Sequence, residues 1–219
     1  MDRTKNRPFV TQELQPSNLL NVWLIIISGI ALFFTYQVAN LEASIYLFAG
    51  IFPYGIIYTV WLKRKTWMNI VIGGLAGSFA VLVGSAATGN TFSTAPLILS
   101  IILFLWTPPH FWALAICYKD EYEKASVPML PVVKSISITS HAIFWHTLLL
   151  VLLSFTLMFY GMHWVYLIFA LTGGLYFLYS SAQLLRKQDN GWAKKTFFAS
   201  IIHLGLLLLG TMFDAMIFA

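Results

Sequence analysis

Charge is what this sequence has least of. Only 10% of its 219 residues are Asp, Glu, Lys or Arg, against about 25% in soluble domains. So thin a supply cannot cover a water-exposed surface, and with 59% hydrophobic residues the chain reads as an integral membrane protein. Cysteine is almost absent. The single Cys117 excludes an internal disulfide and, at a helix end, reads as a packing residue. A cleavable signal is missing too, because the first 18 residues are polar and lack an apolar centre. Long polar linkers are likewise lacking, so one bundle is expected rather than several domains.

What is present is a series of apolar runs. A helix needs about 20 apolar residues to cross a hydrocarbon core of roughly 30 Å. Seven runs qualify, at about 19–39, 44–62, 68–88, 96–117, 138–160, 163–185 and 196–218. The expected fold is therefore all-α, a polytopic membrane helix bundle. Ser17 or Asn18 is positioned to cap the first helix.

The net charge of +5 could indicate nucleic acid, but its distribution argues for no nucleic-acid partner. With seven spans assigned, all 13 basic residues fall on one face. Arg3, Lys5 and Arg7 precede the first span, and Lys63, Arg64 and Lys65 follow the second. Lys119, Lys124 and Lys134 follow the fourth, and Arg186, Lys187, Lys194 and Lys195 follow the sixth. The opposite turns hold none. The positive-inside rule then places the N-terminus in the cytoplasm and the C-terminus outside. The expected location is a cell (inner) membrane, and the lack of a transit peptide favours a bacterial one.

Within the spans, Pro53 and Gly55 interrupt the second, a proline tolerated where neighbours satisfy the freed carbonyl. Gly73 and Gly77 in the third form a small-xxx-small pair, read as close packing or as a floor for a flat ligand. The last span, with Gly205, Gly210 and the run Leu206 to Leu209, reads as lipid-facing scaffold.

The most informative stretch is WTPPHFWALAICYKDEYEKASVPMLPVVK, from Trp106 to Lys134. Pro108 and Pro109 remove two backbone donors, so a kink or break is expected in the fourth helix. His110 follows at membrane depth, where ionisable groups are functional by default. Its alternative reading is a histidine hydrogen-bonded inside the bundle. No histidine pair has the spacing of a haem-iron or zinc site. Beyond the helix, Asp120, Glu121 and Glu123 are three of only eight acids and lie among Lys119 and Lys124. Carboxylates suit Mg²⁺, which binds through one or two of them plus substrate phosphates. Nearby lysines and arginines would take the remaining phosphate charge. A diphosphate with an apolar tail fits this pattern, and so does a plain solvated loop.

The run WTPPHFWALAI, then Glu121-Tyr122 and Ala125 to Pro131, closely resembles the protoheme IX farnesyltransferases (haem O synthases) of the UbiA-type intramembrane prenyltransferases. Two further blocks agree, Tyr58-Thr59 through Lys63-Arg64 to Asn69 and Gly73-Gly74, and Arg3-Thr4 with Arg7-Pro8. The resemblance implies transfer of a farnesyl group from farnesyl diphosphate to a vinyl group of haem b, giving haem O for a terminal oxidase. It implies Mg²⁺ as cofactor, with haem b a substrate. Asp120 and Glu121 would form the second acidic motif at the metal. Arg3, Arg7, Lys63, Arg64 and Lys119 would hold the diphosphate, while Pro108, Pro109, His110, Asn69 and Tyr122 would line the haem or prenyl cavity. The implied partners are the lipid bilayer and haem A synthase or the terminal oxidase assembly.

The sequence departs from that pattern twice. The family has nine spans and a first acidic motif just upstream of the Arg-Thr segment, whereas this sequence begins there with Met1-Asp2. The expectation is a fragment or a misplaced start lacking two helices, with weak or no transferase activity if nothing precedes Met1. Ala80-Val81 also stands where related enzymes commonly show a proline pair. Two other readings remain, a UbiA-type enzyme with a quinone or chlorin acceptor, and a non-enzymatic haem-binding or assembly bundle. A transporter should show paired broken helices in repeated halves, and only one broken helix is expected here.

Overall fold

The computed structural model describes residues 5–15 and 17–218. Among them there is no strand, and seven helices are long and apolar enough to cross a membrane. α1 spans Asn18–Val38, and α2 spans Leu41–Phe52 and continues as a π-helix over Pro53–Leu62. α3 (Asn69–Ala87) and α4 (Thr94–Cys117) follow, then the short α5 (Lys119–Lys124) and α6 (Leu130–Val133). α7 (Ile136–Phe155) ends in a 3₁₀ turn, Thr156–Phe159, before α8 (Trp164–Lys187) and α9 (Asn190–Phe218). The chain is a multi-pass membrane protein with short connections.

Capping side chains account for four of the seven long helix starts among the described residues. The Ser17 hydroxyl accepts from the Leu20 amide, Asn40 Oδ1 from Ala43, and Ser135 Oγ from Ile138. Asp189 Oδ1 accepts from the Trp192 amide at 2.8 Å, which starts α9 near Asn190 rather than at 196. An apolar count misses those first turns because Lys194 and Lys195 lie in them. α8 has no cap of its own. Asp214, 1% exposed near the far end of α9, serves instead: Oδ2 accepts from the His163 amide at 2.9 Å and Oδ1 from the Tyr166 amide at 3.0 Å. The same carboxylate meets His163 Nδ1 at 3.1 Å.

α4 lies at the centre and packs on α3, α7 and α9. At its basic end Trp112, Ala113 and Ile116 join Leu130, Ile143, Leu184 and Ala193 in one apolar cluster. At the other end Ile102 meets Leu157, Tyr166, Ala170 and Leu207. α1 buries none of its residues.

Two expectations need correction. Of the kink or break expected at Pro108-Pro109, the break does not occur, and α4 runs as one helix from Thr94 to Cys117. Both prolines are buried, so packing from neighbouring helices holds the course that two lost backbone bonds leave unsupported. Nor is α9 mere lipid-facing scaffold. Leu208 and Leu209 are exposed, yet Thr196, Ser200, His203, Leu207, Gly210 and Asp214 form a buried face. Periodicity explains this, since the apolar run of four residues wraps more than one turn and only part of it meets lipid.

Candidate functional site

The change of winding in α2 builds the site. Pro53 cannot donate a backbone hydrogen bond, and from there the helix widens to π geometry for ten residues. The Thr59 hydroxyl donates to the Tyr54 carbonyl at 2.8 Å, and the Lys63 amide closes a five-residue turn on Tyr58. Tyr58 stacks on Tyr54 at 5.2 Å and lies against Gly73 of α3, where an added Cβ would stand 3.0 Å from the ring. Gly73 therefore seats an aromatic ring, whereas Gly77 faces Leu103 of α4.

This segment forms one wall of a cavity of about 630 Å³ at the basic end of the bundle. Arg7 and Val10 come from the turns before α1, Tyr58, Thr59, Lys63 and Arg64 from the end of α2, and Asn69 and Ile70 from the start of α3. Phe111 of α4, Tyr122 of α5 and the Ala125 to Met129 loop complete it. Ile70, Ala115 and Met129 pack together beneath, against Tyr58 and Tyr122. Three cations and no carboxylate stand among the described lining residues. None of the three is ion-paired with a described residue. Such a wall selects for an anion, and its aromatic and aliphatic remainder suits an apolar chain attached to it.

The acidic residues lie elsewhere. Lys119, Asp120 and Glu121 line a second cavity, about 280 Å³, between the start of α5, Ile136 and Asn190. Glu121 Oε2 is buried and has no hydrogen-bond partner among the described residues. α5 thus divides its roles, with Tyr122 toward the basic cavity and Asp120 and Glu121 toward the smaller one. The described residues contain no group of three His, Cys, Asp or Glu that could hold a metal ion. An unpaired buried carboxylate oxygen next to a second carboxylate does fit Mg²⁺, which takes few protein ligands and completes its shell with water and phosphate oxygens.

Of the remaining site candidates, Arg3 lies outside the described residues. Asn69 and Tyr122 line the basic cavity, while Pro108, Pro109 and His110 do not. His110 Nδ1 lies 2.7 Å from Ser200 Oγ, and that hydroxyl donates to the Phe197 carbonyl at 2.6 Å. The imidazole N–H is therefore the donor to Ser200. Its ring is held between Trp106 and Phe197 at 4.3 and 4.6 Å. Trp106 Nε1 also donates to the Ser200 carbonyl, so this group ties α4 to α9. Sequence reasoning passed over Tyr58, Thr59 and Phe111 as site residues. The signal available for the first two was their place four or five residues before Lys63, on one face of a helix.

The model of the UbiA prenyltransferase family matches residues 1–202. Protoheme IX farnesyltransferase 2 of Paramagnetospirillum magneticum is 46% identical over 217 residues, covering 99% of this chain and 75% of that protein. Protoheme IX farnesyltransferase of Rickettsia akari is 44% identical over 211 residues, covering 95% of this chain and 69% of the relative. A solved structure from work on digeranylgeranylglyceryl phosphate synthase in membranes superposes with a TM-score of 0.81 at 20% identity, covering 98% of this chain and 76% of that one. That likeness is one of fold. A family model matched over most of the chain, and relatives above 40% identity over nearly all of it, place this protein in the UbiA prenyltransferase family.

Proposed function

We propose that this prenyltransferase moves a farnesyl group from farnesyl diphosphate to a vinyl group of haem b, yielding haem O. The carrying observation is the 46% and 44% identity, over nearly the whole chain, to two proteins named protoheme IX farnesyltransferase. The basic cavity supports the same reading, since it joins an anion-binding wall to apolar lining in one space.

Arg7, Lys63 and Arg64 hold the diphosphate and neutralise charge as the allylic C–O bond breaks and the leaving group takes the electron pair. Tyr58, Phe111 and Met129 surround the farnesyl end and exclude water from the electron-poor carbon. The vinyl π electrons form the new C–C bond, and a water then adds its oxygen to the acceptor while releasing a proton. Asp120 and Glu121 would hold Mg²⁺, which when bound supplies further charge neutralisation to the leaving group. The positive-inside rule puts this end of the bundle in the cytoplasm, and the membrane is a cell (inner) membrane. A haem A synthase or terminal oxidase assembly is the expected recipient of the product.

The test is haem extraction from membranes of cells lacking their own haem O synthase and expressing this protein. The expected product has the mass of haem b plus one farnesyl and one hydroxyl group, the vinyl having become a hydroxyfarnesylethyl side chain. Unmodified haem b from well-expressed protein would overturn the reading.

A further inference from the structure

Deeper in the bundle than the basic cavity, α2 and α3 form a groove of about 260 Å³. It runs from Tyr46 to Tyr54 on α2 and along Ala76, Ala80 and Val83 on α3, with no charged residue among its described lining residues. Tyr46, Gly50, Tyr54 and Tyr58 recur every four residues, the spacing of one helix face. Tyr58 lines the basic cavity, Tyr54 lines the groove, and the two rings stack at 5.2 Å. The two spaces therefore meet at a shared aromatic wall. Small residues shape the groove beyond it. α2 and α3 come together at Gly50, where an added Cβ would stand 3.5 Å from Phe79 Cβ and 3.7 Å from the Ala76 carbonyl oxygen. Tyr46 stacks on Phe79 at 6.3 Å near the far end. Ala80 is exposed and contributes only a methyl group to the lining.

A diphosphate held by Arg7, Lys63 and Arg64 must send its apolar tail away from those cations, and the groove is the uncharged space that continues the cavity. Length decides how much of the tail fits. Ala76 lies roughly 10 Å and Ala80 roughly 16 Å along α3 from its first residue, Asn69, at about 1.5 Å per residue. With C–C bonds of about 1.5 Å, the twelve in-line carbons of a farnesyl tail extend roughly 14 Å and the eight of a geranyl tail roughly 9 Å. The third isoprene unit thus comes to rest near Ala80, while a tail of two units stops near Ala76. Haem fits the groove poorly, because its carboxylates would find no cation there. We infer that the α2–α3 groove is the tail subsite for the prenyl diphosphate and that Ala80 is the residue that selects for a third isoprene unit. The inference rests on the diphosphate-binding part of the proposed function and not on the identity of the acceptor.

The experiment uses the full chain in detergent and measures binding of unreactive farnesyl and geranyl thiodiphosphates. Ala80→Phe fills the groove at the depth of the third unit. It is expected to weaken farnesyl thiodiphosphate by about tenfold or more, as for a five-carbon unit denied its apolar slot, while geranyl thiodiphosphate stays within about threefold. Equal loss of both tails, or no loss of either, overturns the inference. A second measurement needs no variant. A thiodiphosphate of farnesyl length with a diazirine at its far end, photolysed on the parent chain, is expected to label peptides holding residues 46–54 or 76–83. Labels confined to α4 or α9, or no protein label because a lipid chain fills the groove, overturn the inference, and this measurement decides if Ala80→Phe aggregates. A chain labelled in the groove that never modifies haem b would refute the proposed acceptor and leave the tail subsite standing. A chain that binds neither thiodiphosphate would overturn both readings.

Discussion

Gly210 shows how little room single atoms have in the seam between α8 and α9. A Cβ there would stand 2.7 Å from Phe169 Cβ, while one at Gly205 would meet nothing within 4 Å. Gly210→Ala should therefore lower stability by about 1–3 kcal/mol through overpacking, whereas Gly205→Ala should be neutral or gain up to about 1 kcal/mol of helix propensity. Thermal melts in one detergent check both. Glu121 offers a different kind of contrast. Its buried, unpaired oxygen contributes nothing to folding, so Glu121→Gln should leave the melting temperature unchanged or raised while kcat falls by about 100-fold or more if the carboxylate serves the reaction. A fall in both together would assign it a structural role. For Lys63→Ala and Arg64→Ala, loss of a charge-assisted hydrogen bond of about 1.5–3 kcal/mol should raise the KM for farnesyl diphosphate roughly 10- to 100-fold, measured by initial rates.

At the scale of elements, the seven spans and their one-sided charge were legible because both follow from transfer of residues between water and lipid. The lesser features were not, because they depend on partners distant in sequence. Pro108-Pro109 reads as a kink or a break, and α4 stays one continuous helix with both prolines buried. Pro53, the quieter signal, is where the winding changes and the basic cavity gains a wall. Lys63, Arg64, Asn69 and Tyr122 were singled out from the resemblance and line one cavity, but the placing of Asp120 and Glu121 on another was not legible, since it depends on which side of the short α5 each residue occupies. Asp214 was invisible for a similar reason: its two backbone partners lie 51 and 48 residues away. If the π segment aims Tyr58 and Lys63, Pro53→Ala should restore one backbone bond and turn them relative to α3. Expected is an unchanged or higher melting temperature with kcat/KM reduced by about tenfold, as for misplacement of binding groups by an ångström or so.

For the whole molecule, the arrangement predicts a sidedness that reagents can read. With Cys117 replaced by serine, single cysteines at Lys65 or Lys134 should react with membrane-impermeant thiol reagents in inverted vesicles and not in intact cells. A cysteine at Asn90 should do the reverse. The same labelling at both sites from one side would refute the topology.

The carboxylate of Asp214 has a mechanical consequence as well. α8 and α9 already run tightly together, joined by a short turn at one end, and Asp214 clasps the other end to the start of α8. A pull on the C-terminus therefore meets a loop closed at both ends before it meets a single strand of helix. Drawn out of a bilayer by a force probe, this hairpin should leave in one rupture, and Asp214→Ala should divide that rupture in two.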